Sequence, residues 1–448
     1  MKKKKTVYVC SECGASFPTW SGKCSSCNQW NTLVEEVAIP KKSSGTVKTG
    51  SYSKPKPITQ AREERKYERV STGIKTLDEA LGGGVVTGQV ILVSGEPGIG
   101  KSTLLLQVAS NLSNEKKVLY ITGEESAHQV YVRGERIGAL NDNLYILAET
   151  NLETIINAIE QENPDFIILD SVQTIYSSEL ESAAGSVSQV REVSGKITEI
   201  AKSKGISSIV VGQVTKEGSI AGPKVFEHIV DTVAQFEGER GHAYRILKII
   251  KNRFGAAGEL AVFSMKDSGL EEVSNPSSFF LSERPEGESG SVIFPFTEGS
   301  KPVLVEVQAL VSKTVYAVPQ RKAQGIDLNR LSIILAILEK EARFFLKDRD
   351  VFINVVGGLH IKEPAVDLAV ALAIASSFKN VPVPKNVAVF GELGLTGEIR
   401  SVHYTEMRIK EAKRFGFDKI LIPSGSSIDD KNVIPVKNLS QALKVLEY

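Results

Sequence analysis

The sequence predicts an α/β chain of three modules. Three observations carry that reading: four cysteines confined to positions 10–27, a glycine-rich loop set between an apolar strand and a helix, and a second strand-and-helix pattern beyond residue 290. A length of 448 residues suits several domains, at roughly 100–200 residues each. With 54 Lys or Arg against 53 Asp or Glu, 42% hydrophobic and 24% charged residues, the composition excludes disordered and collagen-like chains. The chain runs from Lys2–Lys5 to Cys10 and Glu12 with no apolar segment of a leader, and no run of about 18 apolar residues follows. A cytoplasmic protein with no membrane segment is expected. The net charge of +1 leaves nucleic acid open as a partner, because a balanced chain can gather its cations on one face.

The first module spans 1–40. Cys10-x2-Cys13 and Cys24-x2-Cys27 are two knuckles, each placing two thiolates on one turn, and together they offer the tetrahedral set that holds Zn²⁺. Four thiolates close the site, so the zinc is expected to be structural. Gly14, Gly22, Lys23 and Asn28 suit the turns. Trp20 and Trp30 flank the second knuckle; the ordinary place for aromatics in so small a module is its core, and the alternative is stacking on a base or a partner. Residues 41–69 follow with nine Lys or Arg against three Glu among Ser, Gly and Pro, a basic linker.

From 70 to 270 short apolar runs (Val90–Ser94, Val118–Thr122, Phe166–Asp170, Ser208–Gly212, Val233–Phe236) alternate with helical stretches, the pattern of a parallel, helix-flanked sheet. Gly95-Glu96-Pro97-Gly98-Ile99-Gly100-Lys101-Ser102, with Thr103 next, matches the phosphate loop G-x-x-x-x-G-K-[ST] in the required strand–loop–helix order. Its backbone N–H groups would curl around ATP phosphates, Lys101 would reach the β and γ oxygens, and the Ser102 hydroxyl would hold Mg²⁺. Asp170 ends a buried strand and is expected at the metal's hydration shell. Hydrolysis also needs a carboxylate to orient water, and Glu124-Glu125 end the neighbouring strand.

Ser71-Thr-Gly-Ile-Lys-Thr-Leu-Asp78, Leu81-Gly-Gly-Gly84 and the phosphate loop together resemble the RecA family across residues 70–255. That resemblance implies a RecA-like P-loop ATPase core, with Glu124 as the catalytic carboxylate and Glu125 as the alternative. It implies Gln213 as a sensor of the γ-phosphate, and Thr215–Pro223, with Lys216 and the nearby Lys224, as a DNA-contacting loop; otherwise these are ordinary surface lysines. Lys251-Asn-Arg-Phe-Gly255 resembles the signature of the bacterial RadA (Sms) branch of RecA-like proteins. In the ring, expected as a hexamer, that such proteins form, Lys251 and Arg253 would reach the neighbouring subunit's nucleotide. The implied partners are single-stranded and branched DNA and a RecA-type recombinase. The implied activity is branch migration driven by ATP.

A polar stretch, 271–290, reads as a second linker, and 291–448 as an α+β domain. Gly357–Leu368 and Gly391–Arg400 resemble two segments of Lon-type proteases, whose chemistry is a Ser nucleophile activated by Lys. Here Ala365 stands at the serine position and the lysine falls on or near Glu406, so the resemblance implies a Lon-protease-like domain without its catalytic dyad. Arg321, Lys322, Arg330, Lys340 and Arg343 are candidates for a basic DNA-facing surface. Two other readings remain at this point: an ATP-dependent protease of the Lon class and an ATP-gated RecA-like regulator.

Overall fold

A computed structural model describes residues 6–37, 68–213, 223–237, 244–282, 284, 287–299, 301–426 and 428–448. Most of the basic linker, and Lys216 with nearly all of the expected DNA loop, lie outside the described residues; Lys224 falls in a helix but its side chain is not among those described. The chain divides into two compact units: Met1–Glu237 with Leu247–Ala257 and Met265–Glu272, and Val273–Tyr448 with Gly238–Ile246 and Gly258–Ser264.

The first unit begins with a three-stranded antiparallel ribbon, β1 (Thr6–Cys10), β2 (Ser16–Phe17) and β3 (Leu33–Val37), in the order β2-β1-β3. A short pair, β4 (Arg69–Val70) and β5 (Val85–Val86), brackets helix α1 (Lys75–Leu81). Then come β6 (Val90–Gly95), α2 (Lys101–Leu112), β7 (Val118–Thr122), α3 (Ala127–Arg136), β8 (Leu144–Ala148), α4 (Leu152–Glu162), β9 (Phe166–Asp170), α5 (Val187–Lys204), β10 (Ser207–Gln213), α6 (Pro223–Ile229) and β11 (Thr232–Glu237). With β12 (Tyr244–Asn252), β13 (Leu260–Lys266) and β14 (Gly269–Glu272) they form a nine-stranded sheet, ordered β14-β13-β12-β11-β6-β10-β9-β7-β8.

Strands β11, β6, β10, β9, β7 and β8 pair in parallel. Helices cover a parallel sheet on both faces, which is why β6, β7 and β9 are buried throughout and read as unbroken apolar runs. Strand β8 escaped that criterion because it lies at the sheet edge, with Tyr145 exposed. Parallel pairing sends all the strand C-termini to one end of the sheet, where open α/β folds bind ligands.

In the second unit, the stretch expected as a linker carries α7 (Pro276–Leu281), which starts with the Asn275 side chain accepting from the Ser278 N–H and buries Phe280. Its polar flanks hid that one apolar turn. Beyond it lie β15 (Ser291–Glu298), β16 (Lys301–Lys313), β17 (Arg321–Gln324), α8 (Leu328–Glu341), β18 (Arg349–Val355), α9 (Asp367–Lys379), β19 (Val387–Val389), the small pair β20 (Glu392–Leu393) and β21 (Ile399–Arg400), α10 (Thr405–Arg414), β22 (Lys419–Pro423), β23 (Val433–Val436) and α11 (Leu439–Val445). The mixed sheet runs β17-β18-β16-β15-β19-β22-β23. Helix α9 is apolar all round, and every residue from Asp367 to Ser376 is buried, as expected of a central core helix. No helix among the described residues is long and apolar enough to cross a membrane.

Candidate functional site

The two cysteine knuckles are built alike. Gly14 (φ 68°) and Asn28 (φ 61°) both take the left-handed conformation, and each returns its N–H to the carbonyl of the knuckle's first cysteine, Cys10 and Cys24, at 2.8 Å. The four Sγ atoms lie within 4.8 Å of one another, with Cys10 to Cys27 at 3.6 Å and Cys13 to Cys24 at 3.7 Å. A tetrahedron with Zn–S bonds of about 2.3 Å has S···S edges of about 3.8 Å, so this donor set fits zinc with no open position. Cys27→Ser is expected to lower zinc from one per chain toward none, because three thiolates hold the metal far less well; elemental analysis reads this out, while ATP hydrolysis persists in part. Sequence reasoning favoured a core place for the two tryptophans, and the structure corrects it: Trp20 is 59% and Trp30 68% exposed. The ribbon's small core is filled instead by Cys10, Cys24 and Leu33.

The phosphate loop joins β6 to α2. Gly95 (φ 152°) has no room for a side chain, since a Cβ there would lie 2.8 Å from that of Phe236. Helix α2 opens on Gly100, left-handed at φ 114°, and no side chain caps it. Its first N–H groups are thus left for an anion, and the cradle fits a polyphosphate. Lys101 is buried and donates to the carbonyls of Gly95 and Glu96, both at 2.8 Å. Burial draws its ammonium below the ordinary lysine value, opposed by the carboxylates of Asp170, Glu124 and Glu96.

Strand register brings the remaining groups to the same end. Gln213 lies opposite Gly95, and Asp170 opposite Thr122. Asp170 accepts a hydrogen bond from Tyr120 at 2.8 Å; burial, then the adjoining carboxylate, raises that phenol well above its usual value, so the tyrosine stays a donor. The two consecutive glutamates have different partners. Glu124 accepts from Ser171 and, at 2.7 Å, from the Gln213 amide. Glu125 pairs with Arg133 on α3. Neither Tyr120 nor Arg133 drew notice in the sequence, although Arg133 lies on the helix that follows the pair.

A family model described as an AAA domain matches residues 59–219, a rubredoxin metal binding domain model matches 8–35, and a model of subunit ChlI of Mg-chelatase matches 314–426. The chain is 58% identical to the DNA repair protein RadA of Aquifex aeolicus, with all of both chains aligned. It is 50% identical to the DNA repair protein RadA of Listeria monocytogenes, covering 99% of this chain and 98% of the other. The chain belongs to the RadA family of DNA repair proteins. A solved KaiC-like protein from Pyrococcus horikoshii shares 22% identity over 46% of this chain and all of its own, with a TM-score of 0.40. The RadA-family core here is a P-loop ATPase fold of RecA type, preceded by a four-cysteine ribbon and followed by a Lon-like α+β domain.

The RadA-type pentapeptide stands apart from the chain's own phosphate loop. Lys251 donates to the carbonyls of Glu227 and Val230 at 2.8 Å each, closing the C-terminal end of α6. Arg253, about half exposed, pairs with Asp231 at 3.2 Å, and Asp231 also accepts from the Val90 N–H. Val90 begins the strand that Gly95 ends, so these cations sit roughly 17 Å along β6 from the loop, at about 3.3 Å per residue.

In the Lon-like domain of this RadA-family chain, Ala365 is buried in a short 3-10 turn (Pro364–Val366). Asp367 is fully buried; it accepts from the Arg330 guanidinium at two points and from the Leu393 N–H at 3.1 Å. Arg330, its side chain 30% exposed, is thus held by a buried carboxylate. Arg408, 1% exposed, is an internal cation; it pairs with Glu363 and donates to the Pro295 carbonyl.

Proposed function

We propose that the chain is a ring-forming, DNA-dependent ATPase that moves on single-stranded DNA at recombination intermediates and extends heteroduplex by branch migration, in the cytoplasm and alongside a RecA-type recombinase. The observation that carries this reading is the hydrogen bond between Glu124 and Gln213. It joins a carboxylate at the phosphate end of the sheet to the residue from which the chain leaves for the segment expected to meet DNA.

In this reading Lys101 exchanges its loop carbonyls for the β and γ oxygens. Ser102 would hold Mg²⁺ and Asp170 its hydration shell, and the metal would supply charge to neutralise the phosphates. Asp170 is kept oriented by Tyr120. Glu124 orients the attacking water and receives its proton, while Glu125, tied to Arg133, keeps the start of α3 in place. Gln213 can follow Glu124, so loss of the γ-phosphate alters the tether at the end of β10. The Lys216 loop and Lys224 would then contact single-stranded DNA. Addition of single-stranded DNA should raise ATP turnover, with a steep dependence on salt from phosphate contacts. Turnover indifferent to DNA would favour an ATP-gated regulator that holds a partner without translocating.

The Lon-like domain is read as a scaffold for the ring. Ala365 offers no hydroxyl, and Arg330 and Arg408 are each engaged by a carboxylate of the same domain, Asp367 and Glu363. Casein and peptides should survive incubation with the protein, with or without ATP, and Ala365→Ser alone should not create activity. Proteolysis by the unmodified chain, followed on a gel, would restore the protease reading.

A further inference from the structure

Among the described residues the indoles of Trp20 and Trp30 stand outside the ribbon's core and are mostly exposed. Both abut one spot: a Cβ placed on Gly22 would lie 3.7 Å from the Trp30 ring and 3.9 Å from that of Trp20. Lys23 adds a cation 5.7 Å from the centre of the Trp30 ring, and Lys23 and Trp30 are joined by a β-bridge. The ribbon's other flank is engaged, since Val9 packs on Val187 of α5 and Arg191 donates to the Gly14 carbonyl at 3.1 Å. The module is thus anchored to the ATPase core while two flat apolar faces and a cation remain open.

Charge along the chain says what suits that surface. The first 69 residues hold fourteen Lys or Arg against six Glu and no Asp, whereas residues 70–448 hold forty Lys or Arg against forty-seven Asp or Glu. Nearly all the excess positive charge of this near-neutral protein therefore surrounds the tryptophans in sequence. A polyanion that also carries π-faces meets both demands: cations track the phosphates, and each base can stack on an indole whatever its identity. We propose that Trp20, Trp30 and Lys23 form a base-stacking site for single-stranded nucleic acid, separate from the loop that follows β10. The site rests on the reading that the chain acts on single strands, and adds that the metal ribbon grips the strand directly.

The chain contains only these two tryptophans, so tryptophan emission, excited beyond the tyrosine absorption band, reports on this surface alone. Titrating the full-length, zinc-loaded protein with oligo(dT) should quench the emission to saturation, and an abasic oligomer of equal length should quench it little. By anisotropy of a labelled oligo(dT), Trp20→Ala and Trp30→Ala should each weaken binding about tenfold with zinc content unchanged, and Trp30→Phe should restore most of it. Emission that stays constant while the labelled oligomer binds, with affinity unaltered in the double alanine variant, overturns the site and leaves the proposed activity standing. Equal quenching by polyglutamate would also overturn it, marking a docking surface for acidic protein. Failure of the unmodified protein to bind oligo(dT) at all would count against both readings.

Discussion

Glu124→Gln should lower ATP turnover by about 10²–10⁴-fold while ATP stays bound, because the amide preserves the shape and the Gln213 contact but cannot take a proton. Glu125→Gln should change turnover far less, since that carboxylate is engaged by Arg133 on α3. Lys101→Ala should fail earlier, at nucleotide binding, which fluorescent-nucleotide titration separates from single-turnover hydrolysis. Normal hydrolysis by Glu124→Gln together with a dead Glu125→Gln would reverse the assignment.

Arg253→Ala should leave ATP and DNA binding near normal yet cut DNA-stimulated turnover by about 10³-fold, the scale of a cation that reaches transition-state charge from a neighbouring subunit. Its place at the far end of β6, paired with Asp231, puts it out of range of its own phosphate loop. Any catalytic contribution therefore has to cross an interface. Mixing Arg253→Ala with Glu124→Gln subunits should recover part of the activity where an intact cation meets an intact carboxylate. No recovery in proven mixed rings would confine Arg253 to its own subunit. Lys251 differs, because its bonds to Glu227 and Val230 also hold α6 closed. Lys251→Ala should consequently loosen the helix that follows the Lys216 segment as well as slow turnover.

What the sequence revealed, and what it withheld, follows from the range of the interactions. The phosphate loop and the cysteine knuckles are local devices whose backbone demands fix residue types at short spacing, so they were legible. Asp170 was legible because a strand buried on both faces leaves an apolar run that ends abruptly in a carboxylate. The different partners of Glu124 and Glu125 were not, because Gln213 lies 89 positions from Glu124 and only the fold decides which of the two glutamates faces Arg133. Arg408 is similar: on α10 it reads as one more surface cation, and its burial is explained by distant partners, Glu363 45 residues back and the Pro295 carbonyl. Burial of Trp20 and Trp30 was the ordinary expectation, but a module this small closes over its cysteines and Leu33 and has no interior left for two indoles.

The most direct test is movement of the branch point in a three-strand recombination intermediate, followed with time by gel in the presence and absence of ATP. Conversion of the intermediate to nicked product should accelerate with the unmodified protein and ATP, and fall to the spontaneous rate without ATP or with Glu124→Gln. Equal conversion with and without ATP, by a protein shown to bind the intermediate and hydrolyse ATP, would contradict a motor that moves DNA.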